Sequence, residues 1–382
     1  MHGLFWGSIL LVAYAYAGYP LCLRVLHLFS GSRGKKPVPA TAVLPSVTLL
    51  ISAYNEEEVI GKKVDNALAL DYPAGLLEVL VVSDGSTDRT DAIVAAQAAR
   101  GVRLVRTGRR MGKSAGLNLG VGEAKGEILV FSDANSLYEP QAIRELVRPF
   151  AEPAVGFVTG GTSYQAEGGP DVHRPVGLYA RLEQATKRLE SGIGSCVGAD
   201  GAIFAVRSEL WHPLEAYDLN DLVVPLGVVR QRRRGVYQPS ARCMERTARS
   251  VGGEFARQVR ITGRTLRALA GAVDLLNPIA HGVFAWELFS HKVCKLLVPF
   301  ALILALAANL LLVPAGRPWL ALLALQLLGY AAGVLGLLRS GGPRGGGALS
   351  VPAVFLAASA AVLLGWVRFA QGETFTMWGT SR

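Results

Sequence analysis

Three short acidic motifs, each directly after an apolar run, carry the residues best suited to chemistry. They are Ser52-Ala53-Tyr54-Asn55-Glu56-Glu57, Ser83-Asp84-Gly85-Ser86-Thr87-Asp88 and Ser132-Asp133-Ala134-Asn135. Asp84 opens a Gly-Ser-Thr-Asp turn, so its carboxylate either closes that turn or accepts hydrogen bonds from a ribose or base N–H. Tyr54, Asn55 and Glu56 after the preceding run favour the binding role. A hard cation such as Mg²⁺ or Mn²⁺ takes oxygen ligands, often one or two carboxylates completed by phosphates and water. Asp133 suits that task, and Asn135 adds a weaker, neutral oxygen; an Asx turn is the plainer alternative. Together these residue types describe a site for a nucleotide and a divalent metal.

Two further motifs bear on the same chemistry. Gly112-Lys113-Ser114 looks like the end of a P-loop, but Thr107 stands where that motif needs its first glycine. Lys113, with Arg109 and Arg110, instead places positive charge near a diphosphate. Asp221, within Asp218-Leu219-Asn220-Asp221, begins a helical pattern and is either a cap or a proton acceptor for an attacking hydroxyl.

The elements that must position these residues follow from the runs before them. Val47-Thr48-Leu49-Leu50-Ile51, Val79-Leu80-Val81-Val82 and Ile128-Leu129-Val130-Phe131 alternate with helix-length segments, the pattern of parallel strands with helical crossovers. Residues just past such strand ends share one edge of the sheet, where α/β folds bind ligands. Further strands are expected at Val102 to Val105, Phe157 to Ser163 and Ala202 to Val206. Helices are expected over Glu56–Leu70, Arg89–Ala99, from Lys113, Gln141–Phe150, Pro175–Leu189 and Asn220–Arg232. In the first of these, Val59, Val64, Ala67 and Leu68 form the expected buried stripe.

Half of the 382 residues are hydrophobic, more than one soluble domain requires. Leu4–Leu23, Leu296–Gly316, Pro318–Leu338 and Gly345–Val367 carry no Asp, Glu, Lys or Arg. Each is about 20 residues or longer, enough to cross a hydrocarbon core of roughly 30 Å. Ala15-Tyr16-Ala17 resembles a signal-peptidase site, but Arg24, Arg33, Lys35 and Lys36 follow the first apolar run and none precedes it. That bias predicts an uncleaved anchor with its C-terminal side in the cytoplasm, and the basic stretch Arg339–Arg344 agrees. The expected organisation is a transmembrane helix over 1–30 and a linker over 31–44, in which Gly31–Pro39 is a tether. A cytoplasmic domain follows over 45–276, and an interfacial amphipathic stretch over 277–295 contains Phe284, Trp286, Leu288 and Phe289. Three transmembrane helices within 296–371, joined in part by the glycine-rich Gly341–Gly347, and a tail over 372–382 complete the chain. The net charge of +10 fits this topology and anionic lipid; no nucleic-acid motif accompanies it. Cys22, Cys196, Cys243 and Cys294 have no paired or metal-ligand spacing.

The ordered set resembles the family 2 glycosyltransferases of the membrane-bound, polysaccharide-synthase-like group. The resemblance rests on Ala53-Tyr54-Asn55-Glu56, Ser83 to Asp88, Gly112-Lys113, Ser132 to Asn135, Gly198-Ala199-Asp200-Gly201-Ala202 and Asn220-Asp221. It implies an α/β fold of GT-A type with a mostly parallel central sheet, inversion at the anomeric carbon and a divalent metal on the diphosphate. By position, Tyr54, Asn55, Glu56 and Asp84 hold the nucleoside, expected to be uridine, and Lys113 and Asp133 the donor diphosphate. Asp133 and Asn135 meet the metal, and Asp221 is the general base. Asp200 and Gly201 line the acceptor site, and Arg257 and Arg260 either reach towards the diphosphate or lie on a solvated, lipid-facing helix. Two departures stand out: Asn135 replaces a second acid, and the Gln-x-x-Arg-Trp motif of processive synthases is reduced to Arg257-Gln258-Val259-Arg260-Ile261. The implied activity is extension of a polysaccharide or glycolipid. Single transfer to a polyprenyl-phosphate or diacylglycerol acceptor, and a nucleotide-binding scaffold role within a synthase or secretion complex, are the alternatives.

Overall fold

The structure, a computed structural model, describes residues 1–29, 43–165, 174–246, 251–339 and 347–376. The tether, most of the basic stretch Arg339–Arg344 and of the Gly341–Gly347 connector, and the end of the tail lie outside them. Eight strands form one mixed sheet: β1 (Val47–Ala53), β2 (Leu77–Ser83), β3 (Val102–Arg106), β4 (Ile128–Asp133), β5 (Leu137–Tyr138), β6 (Val155–Gln165), β7 (Phe204–Arg207) and β8 (Arg234–Arg246). Their order is β3-β2-β1-β4-β7-β6-β8-β5. The β3-β2-β1-β4 half is parallel, as is the β6–β8 pair; β7 runs antiparallel to both β4 and β6, and β5 antiparallel to β8.

Alternation along the strands feeds two cores. Leu49, Ile51, Val79, Val81 and Val130 pack on one face with Ile60, Val64, Ile143 and Leu146. Leu50, Leu80, Val82 and Phe131 face the other, with Leu117, Phe204 and Val228. Both faces are covered, so the strands read as continuous apolar runs. Register then aligns the motifs: Ala53 sits opposite Ser83, and Ser52 opposite Asp133.

Four helices are long and apolar enough to cross a membrane: His2–Phe29, Val283–Ala315, Arg317–Arg339 and Ser350–Ala370. The first packs on the second, where Phe5 meets Ala305, Ala308 and Leu312. The helical run from Val283 passes without a break through Phe289–Val293 into Cys294–Leu312, so the boundary expected at 295 falls inside a helix. The helix Val251–Ala270, which carries Arg257 and Arg260, buries Val259, Leu266 and Leu269. Leu266 and Leu269 pack in a cluster that Trp366 and Phe369 of the last membrane helix join, and Gly365 of that helix lies against Thr262. This amphipathic helix fastens the sheet domain to the membrane helices. Strand β8 also went unread, because Pro239 breaks its pattern; proline lacks the N–H a ladder needs. The strand accommodates it where the β6–β8 register jumps, between Tyr237 and Arg242.

Candidate active site

The β1 and β2 ends are stitched together before they can hold anything else. Asn55 takes a left-handed conformation (φ 52°), and its Oδ1 accepts the Thr87 N–H at 2.8 Å while its own N–H donates to Ser86 Oγ. Glu56 N–H donates to Thr90 Oγ1 at 2.7 Å, and Glu57 N–H to Asp88 Oδ2. Asn55, expected at the nucleotide, is thus the residue that locks the two loops. Tyr54 presents its ring to the Arg110 guanidinium at 3.9 Å, and Glu56 stays partly exposed beside it.

Asp84 is 1% exposed, and both of its oxygens are engaged. Oδ1 accepts from Met111 N–H at 2.7 Å and Thr107 Oγ1 at 3.2 Å, and Oδ2 from Gly112 N–H at 2.9 Å. The carboxylate therefore anchors the arginine-rich loop 107–112. Gly85, at φ 66°, allows the approach: a Cβ there would lie 2.7 Å from the Arg110 nitrogen. Gly112, at φ 97°, faces the C-terminal tail, and a Cβ would lie 2.5 Å from the Thr376 carbonyl oxygen.

Lys113 is the first residue of the helix Lys113–Glu123, which rests on Leu50 and Val82 at Gly120. Its Nζ pairs with Asp133 Oδ1 at the end of β4. The second Asp133 oxygen has no partner among the described residues, and the side chain is 37% exposed. Asn135 is exposed two residues on. Among the described residues no cluster of three or more His, Cys, Asp or Glu forms a metal cage. One carboxylate with a free oxygen fits a hard cation that draws its other ligands from phosphate and water.

Two residues the sequence reading missed lie beneath this loop. Lys63, fully buried in Ile60–Leu68 where Val59 and Leu68 were expected inside, donates to Ser132 Oγ at 2.7 Å and to the Ser136 carbonyl. Burial lowers its ammonium to about 7. Glu245 on β8 accepts from Ser136 Oγ; burial, with Asp133 nearby, pushes its carboxyl up to about 7.

Asp221 lies in the first turn of Asn220–Arg230, a helix with no side-chain cap, so capping does not explain it. Its Oδ1 is buried without a partner, and Oδ2 lies 3.3 Å from where a Cβ on Gly201 would stand. Burial raises its carboxyl above the ordinary aspartate range, with Lys113, Lys292 and Lys187 pulling the other way. An orphaned buried carboxylate is costly unless a ligand meets it. Asp200 is differently placed: Oδ2 accepts from Thr162 Oγ1 at 2.8 Å and Oδ1 from Ala202 N–H, so it shapes the Gly198–Ala202 turn.

Arg257 pairs with Glu254 at 3.3 Å, with Tyr164 and Glu245 as its other charged or titratable neighbours; Arg260, three residues on, is partly buried. Neither forms an ion pair with the Lys113–Asp133 end of the site among the described residues. Arg264 does reach it: Nε donates to the Tyr217 carbonyl at 2.8 Å, and Nη2 to Ser114 Oγ and the Asp218 carbonyl. The spacing 257, 260, 264, 267 is one helical stripe, the sequence signal that would have found it.

The geometry now meets its relatives. Residues 48–208 match the family described as Glycosyl transferase family 2. A beta-monoglucosyldiacylglycerol synthase of Synechocystis sp. is 36% identical over 165 residues, covering 41% of this chain and 34% of that protein. A poly-beta-1,6-N-acetyl-D-glucosamine synthase of Staphylococcus aureus is 25% identical over 235 residues, covering 60% of this chain and 57% of that protein. The chain thus spans between a third and three-fifths of the length of these relatives. A mannosyltransferase from Pyrobaculum calidifontis, PcManGT, solved in complex with GDP-Man and Mn²⁺, superposes with a TM-score of 0.73 at 25% identity over 97% of this chain and 99% of that one. The fold is GT-A-like, and residues 48–208 within it are what match the glycosyl transferase family 2 description.

Proposed function

We propose that this protein is a membrane-anchored, inverting glycosyltransferase that moves a sugar from a nucleoside-diphosphate donor to a hydroxyl of a polysaccharide or lipid acceptor. The observation that carries this reading is the buried, unpartnered Asp221 Oδ1, set beside a glycine-lined turn and close enough to Lys113 to feel its charge. Asp221 takes the proton of the attacking hydroxyl. The hydroxyl oxygen bonds to the anomeric carbon as the bond to the diphosphate breaks, inverting that carbon. Its raised proton affinity makes Asp221 a better acceptor near neutral pH than an ordinary aspartate.

Lys113 neutralises charge developing on the leaving diphosphate. Mn²⁺ or Mg²⁺ held by Asp133, with Asn135 adding a neutral oxygen, supplies further charge neutralisation there. Tyr54, Glu56 and the Asp84-anchored loop hold the nucleoside, for which uridine is the expected base. Arg257 sits near Tyr164 and Glu245, with Arg260 one turn on, and Arg264 fixes the turn that precedes Asp221. The sheet domain faces the cytoplasm, a placement that the bias of basic residues after the first membrane helix supports.

A single-transfer mode to a lipid is the second reading, favoured by the missing tryptophan of the processive motif and by the 36% identity to a glucosyldiacylglycerol synthase. The test is turnover of radiolabelled UDP- and GDP-sugars in detergent with Mn²⁺ or Mg²⁺, followed by sizing of the product. Metal-dependent turnover of one donor supports the reading, and product size separates polymer from lipid monosaccharide. Absence of turnover for every donor would remove it.

A further inference from the structure

Beneath the Gly198–Ala202 turn, the membrane helix Val283–Ala315 brings charged side chains against the helix Arg174–Ile193. Most of them are paired. His291 contacts Glu190 at 2.6 Å and Glu183 at 2.8 Å, Lys295 reaches Glu183 at 3.1 Å, and Tyr19 donates to Glu190 at 2.6 Å. Lys187 Nζ donates to the Ala199 carbonyl at 3.2 Å. Lys292 alone of this group's cations has no hydrogen bond or ion pair among the described residues. Its Nζ lies 3.8 Å from where a Cβ on Gly198 would stand, and Asp221's carbonyl lies 3.4 Å from the same point.

Two charges of opposite sign without a direct partner thus flank one turn: Lys292 Nζ beside Gly198, and the Asp221 carboxylate beside Gly201, its Oδ2 towards the glycine and its Oδ1 buried without a hydrogen bond. The glycines let Lys292 Nζ and the Asp221 carboxylate approach the turn closely. An ammonium on a membrane helix, with acids nearby but no direct hydrogen-bond or ion-pair partner among the described residues, is available to a ligand.

We infer that Lys292, supported by Lys187, binds the phosphate of an anionic lipid whose own hydroxyl is the group glycosylated at Asp221. This deepens the acceptor side of the function proposed above and rests on it. A neutral acceptor would satisfy Asp221 and leave Lys292 unpaired. A phosphate-bearing one satisfies both, from within reach of the bilayer in which the helix is anchored. The hydroxyl loses its proton to Asp221 and forms the new bond to the anomeric carbon; the donor's diphosphate leaves with the bonding electrons. The lipid phosphate is only held and undergoes no reaction.

The experiment uses the full-length protein in dodecyl maltoside micelles with the donor it turns over. Three acceptors are compared: dioleoylphosphatidylglycerol, a polyprenyl-diphosphate-linked N-acetylglucosamine, and neutral dioleoylglycerol. Transfer to either phosphate-bearing lipid, in preference to dioleoylglycerol, is expected, and which one accepts tells a headgroup source from a carrier source. Lys292→Met should raise the acceptor KM tenfold or more, and Lys292→Arg should restore most of it. Equal or better use of dioleoylglycerol, or a Lys292→Met effect on donor KM with acceptor KM unmoved, overturns the inference. So does donor hydrolysis without transfer to any phosphate-bearing lipid, an outcome that leaves the glycosyltransferase reading standing. No donor consumption at all instead removes that reading itself, and the inference with it.

Discussion

Asp84 and Gly112, 28 residues apart, are joined by a hydrogen bond of 2.9 Å from the Gly112 N–H to Oδ2, with Met111 N–H on the other oxygen at 2.7 Å. A carboxylate at the end of one buried strand thereby sets the shape of the loop that leads into Lys113. In the proposed function, donor binding depends on Asp84 through that loop. Asp84→Asn replaces one acceptor oxygen with a donor facing an N–H, and should cost about 1–3 kcal/mol of stability. It should also raise the donor Kd roughly tenfold or more by the corresponding loss of preorganisation. Calorimetric donor titration beside thermal unfolding checks this; unchanged donor affinity would mean the loop is not part of the donor site.

Gly112→Ala meets two penalties at once, a left-handed backbone and the Thr376 carbonyl at 2.5 Å. A loss of about 1–3 kcal/mol is expected, together with weaker turnover. Gly122→Ala, in the same helix with nothing within 4 Å, should instead stabilise by about 0.5–1 kcal/mol. Melting temperatures of the two variants test the contrast directly.

The proton balance of Glu245 gives stability a definite pH dependence. Its carboxyl is raised from 4.5 to about 7 in the folded protein, so the fold binds the proton more tightly than the unfolded chain does. The stabilisation is fully present below 4.5 and is lost as pH rises through 7. Glu245→Gln should therefore flatten the fall in melting temperature between pH 5 and pH 8, roughly the span of the titration. Lys63, lowered from 10.5 to about 7, costs the fold stability that is regained as pH rises from 7 towards 10.5, above the window of Glu245. A wild-type curve already flat over the interval would contradict the burial of Glu245.

Arg264 ties the amphipathic helix to Ser114 and to the carbonyls of Tyr217 and Asp218. Lysine cannot reproduce a planar fork spread over three acceptors. Arg264→Lys should lower kcat roughly tenfold while leaving donor KM within about threefold, because it acts on the turn before Asp221. Steady-state kinetics resolve this; a rise in donor KM alone would place Arg264 on the donor.

The strand ends were legible because both faces of the parallel half are buried, which leaves unbroken runs such as Val79 to Val82 before each motif. Asp221 was legible as an acid at a helix start, but its missing cap and partnerless oxygen belong to the tertiary structure. What escaped has identifiable causes. Pro239 disguised β8, and with it Glu245. Lys63 broke the apolar stripe of its helix, since a lysine in a buried position looks like a surface residue until Ser132 and Ser136 are seen around it. An amphipathic stretch was expected at 277–295, where aromatic residues cluster; the helix Val251–Ala270 packs in the same cluster, its apolar face obscured in the sequence by its arginine stripe. Asn55 and Asp200 were read as ligand contacts from their motifs; what the sequence did not show is that their side chains also hold Thr87 and the Thr162–Ala202 turn.

The most direct test of the account is Asp221→Asn, assayed for transfer and for donor binding in the same preparation. Loss of transfer by roughly a thousandfold, with donor Kd within about threefold of wild type, is the predicted result for a general base. Transfer retained to within about tenfold would contradict it and move the proton acceptor elsewhere in the site.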